Sequence, residues 1–245
     1  MIVSLLTGRK GSKGFPNKHF CKVLNHEIAY YPIRAARKCK DIDKRYISTD
    51  DENLIKMAED NGIEAIRRPP YLCSDEALSE DVFLHAYTVI QERNPNSIID
   101  IIVILMCNAP TVTSGIVSQG IDILKNNPAY DSVVTVSKYN MWSPIRARKI
   151  GKVGFLHPCA SFDCFEDLKA FTCDRDSQGD IWFADMGASI IRSRCIEDIR
   201  KGLLPQKWMG QRIFPLKQEM GLDVDYEWQV SQAEEWLKRY GETEE

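Results

Sequence analysis

Short, nearly continuous apolar runs recur at Ile2–Leu6, Arg45–Ser48, Ile101–Met106 and Ser132–Val136, and between them apolar residues return every three to four positions. Brief runs rich in Ile and Val read as strands, and the longer-period stretches read as amphipathic helices. Their alternation predicts parallel strands joined by crossover helices, an α/β fold with a doubly wound, mostly parallel, Rossmann-like sheet. The first helix is expected to open near Tyr31, with Pro32 in its first turn, and to run through IRAARKCK. A second follows Thr49 and Asp50 as DENLIKMAEDNG and stops on Gly62. A third is expected after Ser79, where Glu80 and Asp81 suit a helix N-terminus and VFLHAYTVI supplies the apolar face.

Between Tyr139 and Asp180 this regularity gives way to prolines, aromatic residues and charges, which marks a small insertion. Periodicity returns at Ile181–Arg192 and again in GLDVDYEWQVSQAEEWLKRYG, which ends as an amphipathic helix before a frayed GETEE tail. The 245 residues therefore predict a single domain spanning 1–245, with an insertion at about 139–180 suited to substrate and subunit contacts.

Charge narrows the range of partners. Thirty-two basic residues against thirty-five acidic ones leave a net charge of -3, so no broad positive field draws the chain to nucleic acid or to a membrane. The apolar start, MIVSLLTG, is far shorter than the roughly 20 residues that cross a bilayer and lacks the layout of a signal peptide. A cytoplasmic location is expected. The eight cysteines, Cys21, Cys39, Cys73, Cys107, Cys159, Cys164, Cys173 and Cys195, form no CxxC pair and read as reduced thiols used as small core residues.

Phosphate chemistry must therefore be local, and the segment after the first strand offers it. In GRKGSKGFPNK, Gly8, Gly11 and Gly14 allow backbone N–H groups to approach a polyphosphate, while Arg9, Lys13 and Lys18 supply cationic donors. The loop also lies at the carboxyl end of a strand, where open α/β sheets hold their ligands. It fits neither the P-loop nor the GxGxxG dinucleotide pattern. A solvated basic turn is the competing reading.

A second feature is Asp223-Val224-Asp225. In an extended segment the two carboxylates share one face with Val224 turned inward, an arrangement that suits Mg²⁺ completed by substrate phosphates. The competing reading is a carboxylate that caps the last helix.

The run RKGSKGFPNK resembles the Arg-x-x-Ser-Lys-Gly-x-Pro-x-Lys-Asn signature of CMP-sialic acid synthetases and related cytidylyltransferases, with His19 in place of the Asn. Further segments agree in order: Ser48-Thr49-Asp50-Asp51 is similar to the family's STDD turn, RRPPYLCSDEALSEDVFLHA resembles its RPxxLAxDxxxSxxVxxHA stretch, and a DxD pair precedes the final helix. The resemblance implies that Arg9, Ser12, Lys13 and Lys18 hold the triphosphate of CTP, with the glycines Gly11 and Gly14, and that Arg68 and Ser79 contact the cytidine. Asp223 and Asp225 would hold Mg²⁺, Arg9 and Lys18 would stabilise the developing charge, and Asp225 is the reserve candidate for general base. Without the resemblance Arg68 reads as a surface ion-pair partner, Ser79 as a helix cap and His85 as a structural residue bonding backbone beneath the site.

The resemblance implies transfer of CMP from CTP to a small acidic acceptor, with release of pyrophosphate, by a homodimer. It departs where the family has Gln-Pro-Thr-Ser-Pro-Leu-Arg and this chain has Met106 to Val112, leaving Asn108 as a substitute amide for the acceptor. Arg146 and Arg175 stand near family basic residues, and Asp185 lies close to the position of a family arginine. Since an acidic residue attracts an amine, Asp185 points to an acceptor other than ordinary N-acetylneuraminate: another nonulosonic acid, an amino-substituted sugar acid or a phosphonate. A non-catalytic nucleotide-binding regulator is the reading from a different class.

Overall fold

A computed structural model describes residues 1–162 and 172–242. The elements follow as β1 (Ile2–Thr7), a small hairpin β2 (Lys22–Val23) and β3 (His26–Glu27), α1 (Tyr30–Lys38), β4 (Lys44–Thr49), α2 (Glu52–Glu59), β5 (Glu64–Arg67) and α3 (Ser79–Arg93). Then come β6 (Ile101–Met106), α4 (Ser114–Asn126), β7 (Ser132–Lys138), a second hairpin β8 (Arg148–Ile150) and β9 (Leu156–Pro158), β10 (Trp182–Arg192), α5 (Arg194–Glu197), β11 (Ile213–Gln218) and α6 (Val230–Tyr240).

Seven strands form one sheet in the order β11-β7-β10-β6-β1-β4-β5. The apolar runs β1 and β6 lie side by side at its centre, parallel, with Leu5 opposite Ile104 and Leu6 opposite Leu105. A strand buried on both faces needs no polar alternation, which is why IVSLL and IIVIL are continuous. On one face, Ile33 of α1, Leu54 of α2 and Val117, Ile121 and Leu124 of α4 pack on Leu6, Ile47 and Leu105. On the other, Phe83, Tyr87 and Ile90 of α3 and Cys195 and Ile196 of α5 pack on Leu5, Tyr46 and Ile104. The expected doubly wound architecture is thus present.

The long strand β10 departs from the parallel rule. It runs antiparallel to both β6 and β7, between them. Its register shifts between Ala184 and Ser189, where Met186 takes φ 61°. A third apolar cluster joins Val23 and Tyr31 to Leu222, Val224, Ala233, Trp236 and Leu237, and so docks α6 and the segment before it beside the first hairpin.

The helix boundaries fall close to those expected. α1 opens at Tyr30 and α2 begins after Asp51, whose side chain accepts from the Asn53 N–H at 2.9 Å, a conventional cap. Ser79 is the first residue of α3 and makes no capping bond, because the cap position belongs to Leu78. Of the insertion, β8 and β9 pair with each other, and Ile150, Val153, Phe155 and Leu156 are exposed on that hairpin. Cys39, Cys107 and Cys195 are buried as expected, whereas Cys159 and Cys173 are exposed in the insertion and Cys164 lies outside the described residues.

Candidate active site

β1 has β4 on one side and β6 on the other, so successive crossovers leave it in opposite directions and a crevice opens at its carboxyl end. The Gly8 to Lys18 segment lines that crevice. Its path is fixed at the base by the Gly8 N–H to the Ser48 carbonyl, 3.4 Å, and by the Lys10 N–H to Asp50 Oδ1, 2.8 Å. Gly11 sits at φ +80°, a conformation that a side chain would strain. Asn17, also left-handed, leads into a short turn over Lys18–Phe20 that buries Lys18 and His19.

The result is a cleft of about 430 Å³. Arg9, Ser12, Lys13, Gly14 and Lys18 line it, together with Arg68, His19, Met106, Asn108, Asp225 and Tyr226. A neighbouring cavity of about 220 Å³ shares Thr7, Arg9, Arg68 and Asp75 with it and adds Ser79 and Phe83. The structure thus brings together the residues expected to hold triphosphate and those expected to hold cytidine, except Gly11, which is exposed at the turn of the loop and lines neither cavity. Arg68 is no surface ion-pair partner: it is buried, and its guanidinium donates to the Ser48 carbonyl at 2.8 Å. Burial presses its pKa down.

From the Asp223-Val224-Asp225 segment, Asp225 lines the opposite wall, whereas Asp223 is half-buried and does not line the cleft. Val224 is buried in the third cluster and its N–H donates to the Asn108 carbonyl at 2.8 Å, while the Thr111 hydroxyl donates to the Leu222 carbonyl and accepts the Leu222 N–H. The segment is extended loop rather than strand. Its capping alternative fails, because the Gln229 side chain accepts from the Asp225 and Tyr226 N–H groups ahead of the last helix. Lys18 Nζ lies 2.6 Å from Asp225 Oδ1. Burial, then the neighbouring Asp225 charge, pushes the Asp223 carboxyl up to about 6, with Lys18 pulling the other way.

A buried carboxyl whose proton affinity is raised by a neighbouring carboxylate marks a place short of positive charge. Hard oxygens from Asp223 and Asp225, with phosphate oxygens supplying further ligands, match what magnesium takes. The donor set fits that ion.

Of the expected acceptor contacts, Asn108 lines the cleft, whereas Asp185, Arg146 and Arg175 do not. The Asn108 amide reaches Asp223 Oδ2 at 3.3 Å, the Val224 carbonyl at 3.2 Å and Asp225 Oδ1 at 3.4 Å, so it braces the carboxylate pair. Asp185 is buried within the sheet and accepts from Thr135 Oγ1 (2.6 Å), Ser137 Oγ (2.7 Å), Gln218 Nε2 (2.9 Å) and the Gly187 N–H (3.1 Å). Its carboxylate is consumed internally and pins the irregularity of β10, which removes the reason for expecting an amine on the acceptor. Arg146 is exposed on the insertion, and Arg175 there pairs with Asp176 at 3.3 Å; neither lines the cleft. His85 lies on α3 in a separate surface groove, and its Nδ1 makes no hydrogen bond, so it does not support the backbone beneath the site.

Asp75 and Tyr226 line the cleft without having been picked out beforehand. Asp75 binds both Arg9, at 2.5 Å, and Lys13. The one sequence signal for it was its place in the stretch between Arg68 and His85.

Residues 3–151, well over half of the chain, match the cytidylyltransferase family. The chain belongs to that family. It is 25% identical over 243 residues to the N-acylneuraminate cytidylyltransferase of Oncorhynchus mykiss, covering 98% of this chain and 51% of that protein. It is 28% identical over 137 residues to the pseudaminic acid cytidylyltransferase of Campylobacter jejuni, 55% of this chain and 58% of that one. This cytidylyltransferase-family chain spans about half the length of the curated relatives it matches. In fold it is similar to a CMP:2-keto-3-deoxy-manno-octonic acid synthetase complexed with CTP, at TM-score 0.66 and 12% identity over 97% of this chain and 98% of that one.

Proposed function

We propose that this chain transfers CMP from CTP to a sugar acid of the nonulosonic or 2-keto-3-deoxy type and releases pyrophosphate. The observation that carries the reading is a crevice in which a glycine-rich cationic loop faces Asp225 of the Asp223-Val224-Asp225 segment, with a smaller cavity adjoining through Arg9 and Arg68. Similarity to an N-acylneuraminate cytidylyltransferase and to a pseudaminic acid cytidylyltransferase supports the acceptor class.

In this reading Ser79 and Arg68 receive the cytidine end, and Arg9, Ser12, Lys13 and Lys18 receive the phosphates. An acceptor hydroxyl attacks the α-phosphorus in line, its O–P bond forms as the bond to the β-phosphate oxygen breaks, and the hydroxyl proton leaves to base. Lys18 and Arg9 offset the charge gathering on the phosphoryl oxygens. Asp223 and Asp225 would hold Mg²⁺, which when bound supplies Lewis-acid polarisation of the phosphates and lowers the acceptor's pKa. Asp225 also faces the cleft as a proton acceptor. Asn108 keeps the two carboxylates together.

The same reading takes the β8–β9 hairpin as a homodimer contact, supported by the exposed Ile150, Val153, Phe155 and Leu156, and gives Arg146 and Arg175 a route to a neighbouring subunit's acceptor. It places the protein in the cytoplasm, in keeping with free thiols at Cys159 and Cys173. No helix among the described residues is long and apolar enough to cross a membrane.

The test is pyrophosphate release from CTP and Mg²⁺ across a panel of sugar acids, with Asp223→Asn as control. Acceptor-dependent release is expected, and the substitution should lower turnover about a hundredfold or more while CTP affinity changes little. Full turnover by a folded Asp223→Asn protein would remove the carboxylate pair from the mechanism, and no CTP-dependent release with any acceptor would count against the reaction.

A further inference from the structure

Every cation of the glycine-rich loop that faces the cleft has a carboxylate beside it. Lys18 pairs with Asp225 across the cleft. Arg9 and Lys13 share Asp75, Arg9 on Oδ1 at 2.5 Å and Lys13 on Oδ2, while a second guanidinium nitrogen of Arg9 donates to the Cys73 carbonyl at 3.3 Å. Two oxygens of one anion on two cations is the presentation that a phosphate would make to the same pair.

Asp75 also occupies a particular place. It belongs to the stretch between the Pro70–Leu72 turn and α3, and it lines both the larger cleft and the cavity that holds Ser79. The side chain is 42% exposed, so solvent and ligands reach it. The smaller cavity, about 220 Å³, falls short of the roughly 300 Å³ at which small-molecule pockets begin, whereas the two joined are ample. Asp75 and Arg9, with Thr7 and Arg68, line both and form the partition, and Lys13 meets Asp75 from the side of the larger cleft. Hydrogen bonds from Lys13 and Arg9 hold its carboxyl below the usual carboxylate range, so it is an anion at any working pH.

We propose that Asp75 is an internal counter-anion standing in a phosphate position of the cleft, and that a nucleoside triphosphate enters by displacing it from Arg9 and Lys13. The inference rests on the reading of this cleft as a CTP site. Arg9 and Lys13 cannot pair fully with Asp75 and with phosphate at once, so part of the attraction for nucleotide is offset by the lost ion pairs. The same competition works on the product side, where the returning carboxylate helps to expel pyrophosphate. Asp75 is thus a positioning residue: it keeps two flexible cations in place before substrate arrives and acts through them on affinity.

Titration calorimetry of CTP and of pyrophosphate, in Mg²⁺ buffer, tests this with Asp75→Asn, which keeps the side-chain shape and removes the charge. CTP should bind about three- to tenfold tighter, and pyrophosphate should bind tighter in the same proportion. In a Lys13→Met background the same substitution should yield a distinctly smaller gain. Unchanged or weaker CTP binding by a folded Asp75→Asn protein overturns the proposal, as does a gain that is undiminished without Lys13. If the unsubstituted protein binds CTP while these results fail, the counter-anion role alone is lost; if it binds no nucleoside triphosphate, the reading of the cleft falls with it.

Discussion

Replacement of His19 by Asn should alter how the protein withstands acid. His19 is buried beside Lys18 at the foot of the cleft, and burial first, then the Lys18 charge, lowers its pKa from 6.5 to about 4. The unfolded chain takes up this proton near 6.5 and the folded chain only near 4, so between those values the unfolded state carries more protons. Stability is therefore full above 6.5 and is lost as pH falls through the window down to about 4. At about 1.36 kcal/mol per pKa unit, the loss amounts to roughly 3 kcal/mol, a large part of the stability of an ordinary domain. Asp223 works in the opposite sense: with its carboxyl raised to about 6, the folded form gains as pH falls below that value. That contribution is common to both proteins and cancels in their difference. Urea unfolding of the parent and of His19→Asn, at pH 7.5 and again near pH 4.5, measures the difference. The gap between the two pH values should be smaller in His19→Asn by about 2–3 kcal/mol. Parallel behaviour of the two proteins would refute the claim that this imidazole is kept neutral by burial.

Two further substitutions probe the walls of the site. In Asp185→Ala the hydroxyls of Thr135 and Ser137 and the Gln218 amide lose a buried acceptor, so stability should fall by roughly 3–5 kcal/mol and Tm by about 10 °C; an unchanged melting curve would show that the carboxylate is not the brace described. In Gly14→Ala the new Cβ would stand 3.0 Å from the Asp225 carbonyl oxygen, close enough to push the carboxylate segment a few tenths of an ångström from the loop. Turnover should drop about tenfold with little loss of stability, and a kcat equal to the parent's would mean that this spacing is not critical.

The central strands were legible because burial on both faces leaves no room for polar residues, as in Ile101–Met106. Edge strands are harder to see. β5 is Glu-Ala-Ile-Arg, half polar, and β11 contains Pro215, which an edge strand tolerates because it has one free side. The direction of β10 is not encoded in its apolar pattern at all, since a parallel and an antiparallel strand bury the same side chains. In the site, the cationic loop and the carboxylate pair could be read because their spacing is local. Asp185 could not be placed: its fate depends on Thr135, Ser137 and Gln218, distant in sequence, which together form a polar cage inside the sheet. Nor could the pairing of Asp75 with Arg9, 66 residues away, be foreseen from either segment alone.

The position of β10 also dictates the order in which the sheet can be completed. Within it, β7 has only β10 and β11 as neighbours, and both come after it in the chain. The family match ends at residue 151, before either has been reached. A nascent chain of that length would hold the β5-β4-β1-β6 half together while β7 waited without a pairing partner, its unpaired edge open to wrong associations. Closure requires a return of some fifty residues to bring Ser189 and Ile190 between Ile104 and Val133, a long loop whose entropy must be overcome before the pairing is rewarded. Strand β10 is thus the late clasp of the sheet, and ending the chain ahead of it would leave a half-sheet carrying the glycine-rich loop but lacking the segment that bears Asp223 and Asp225.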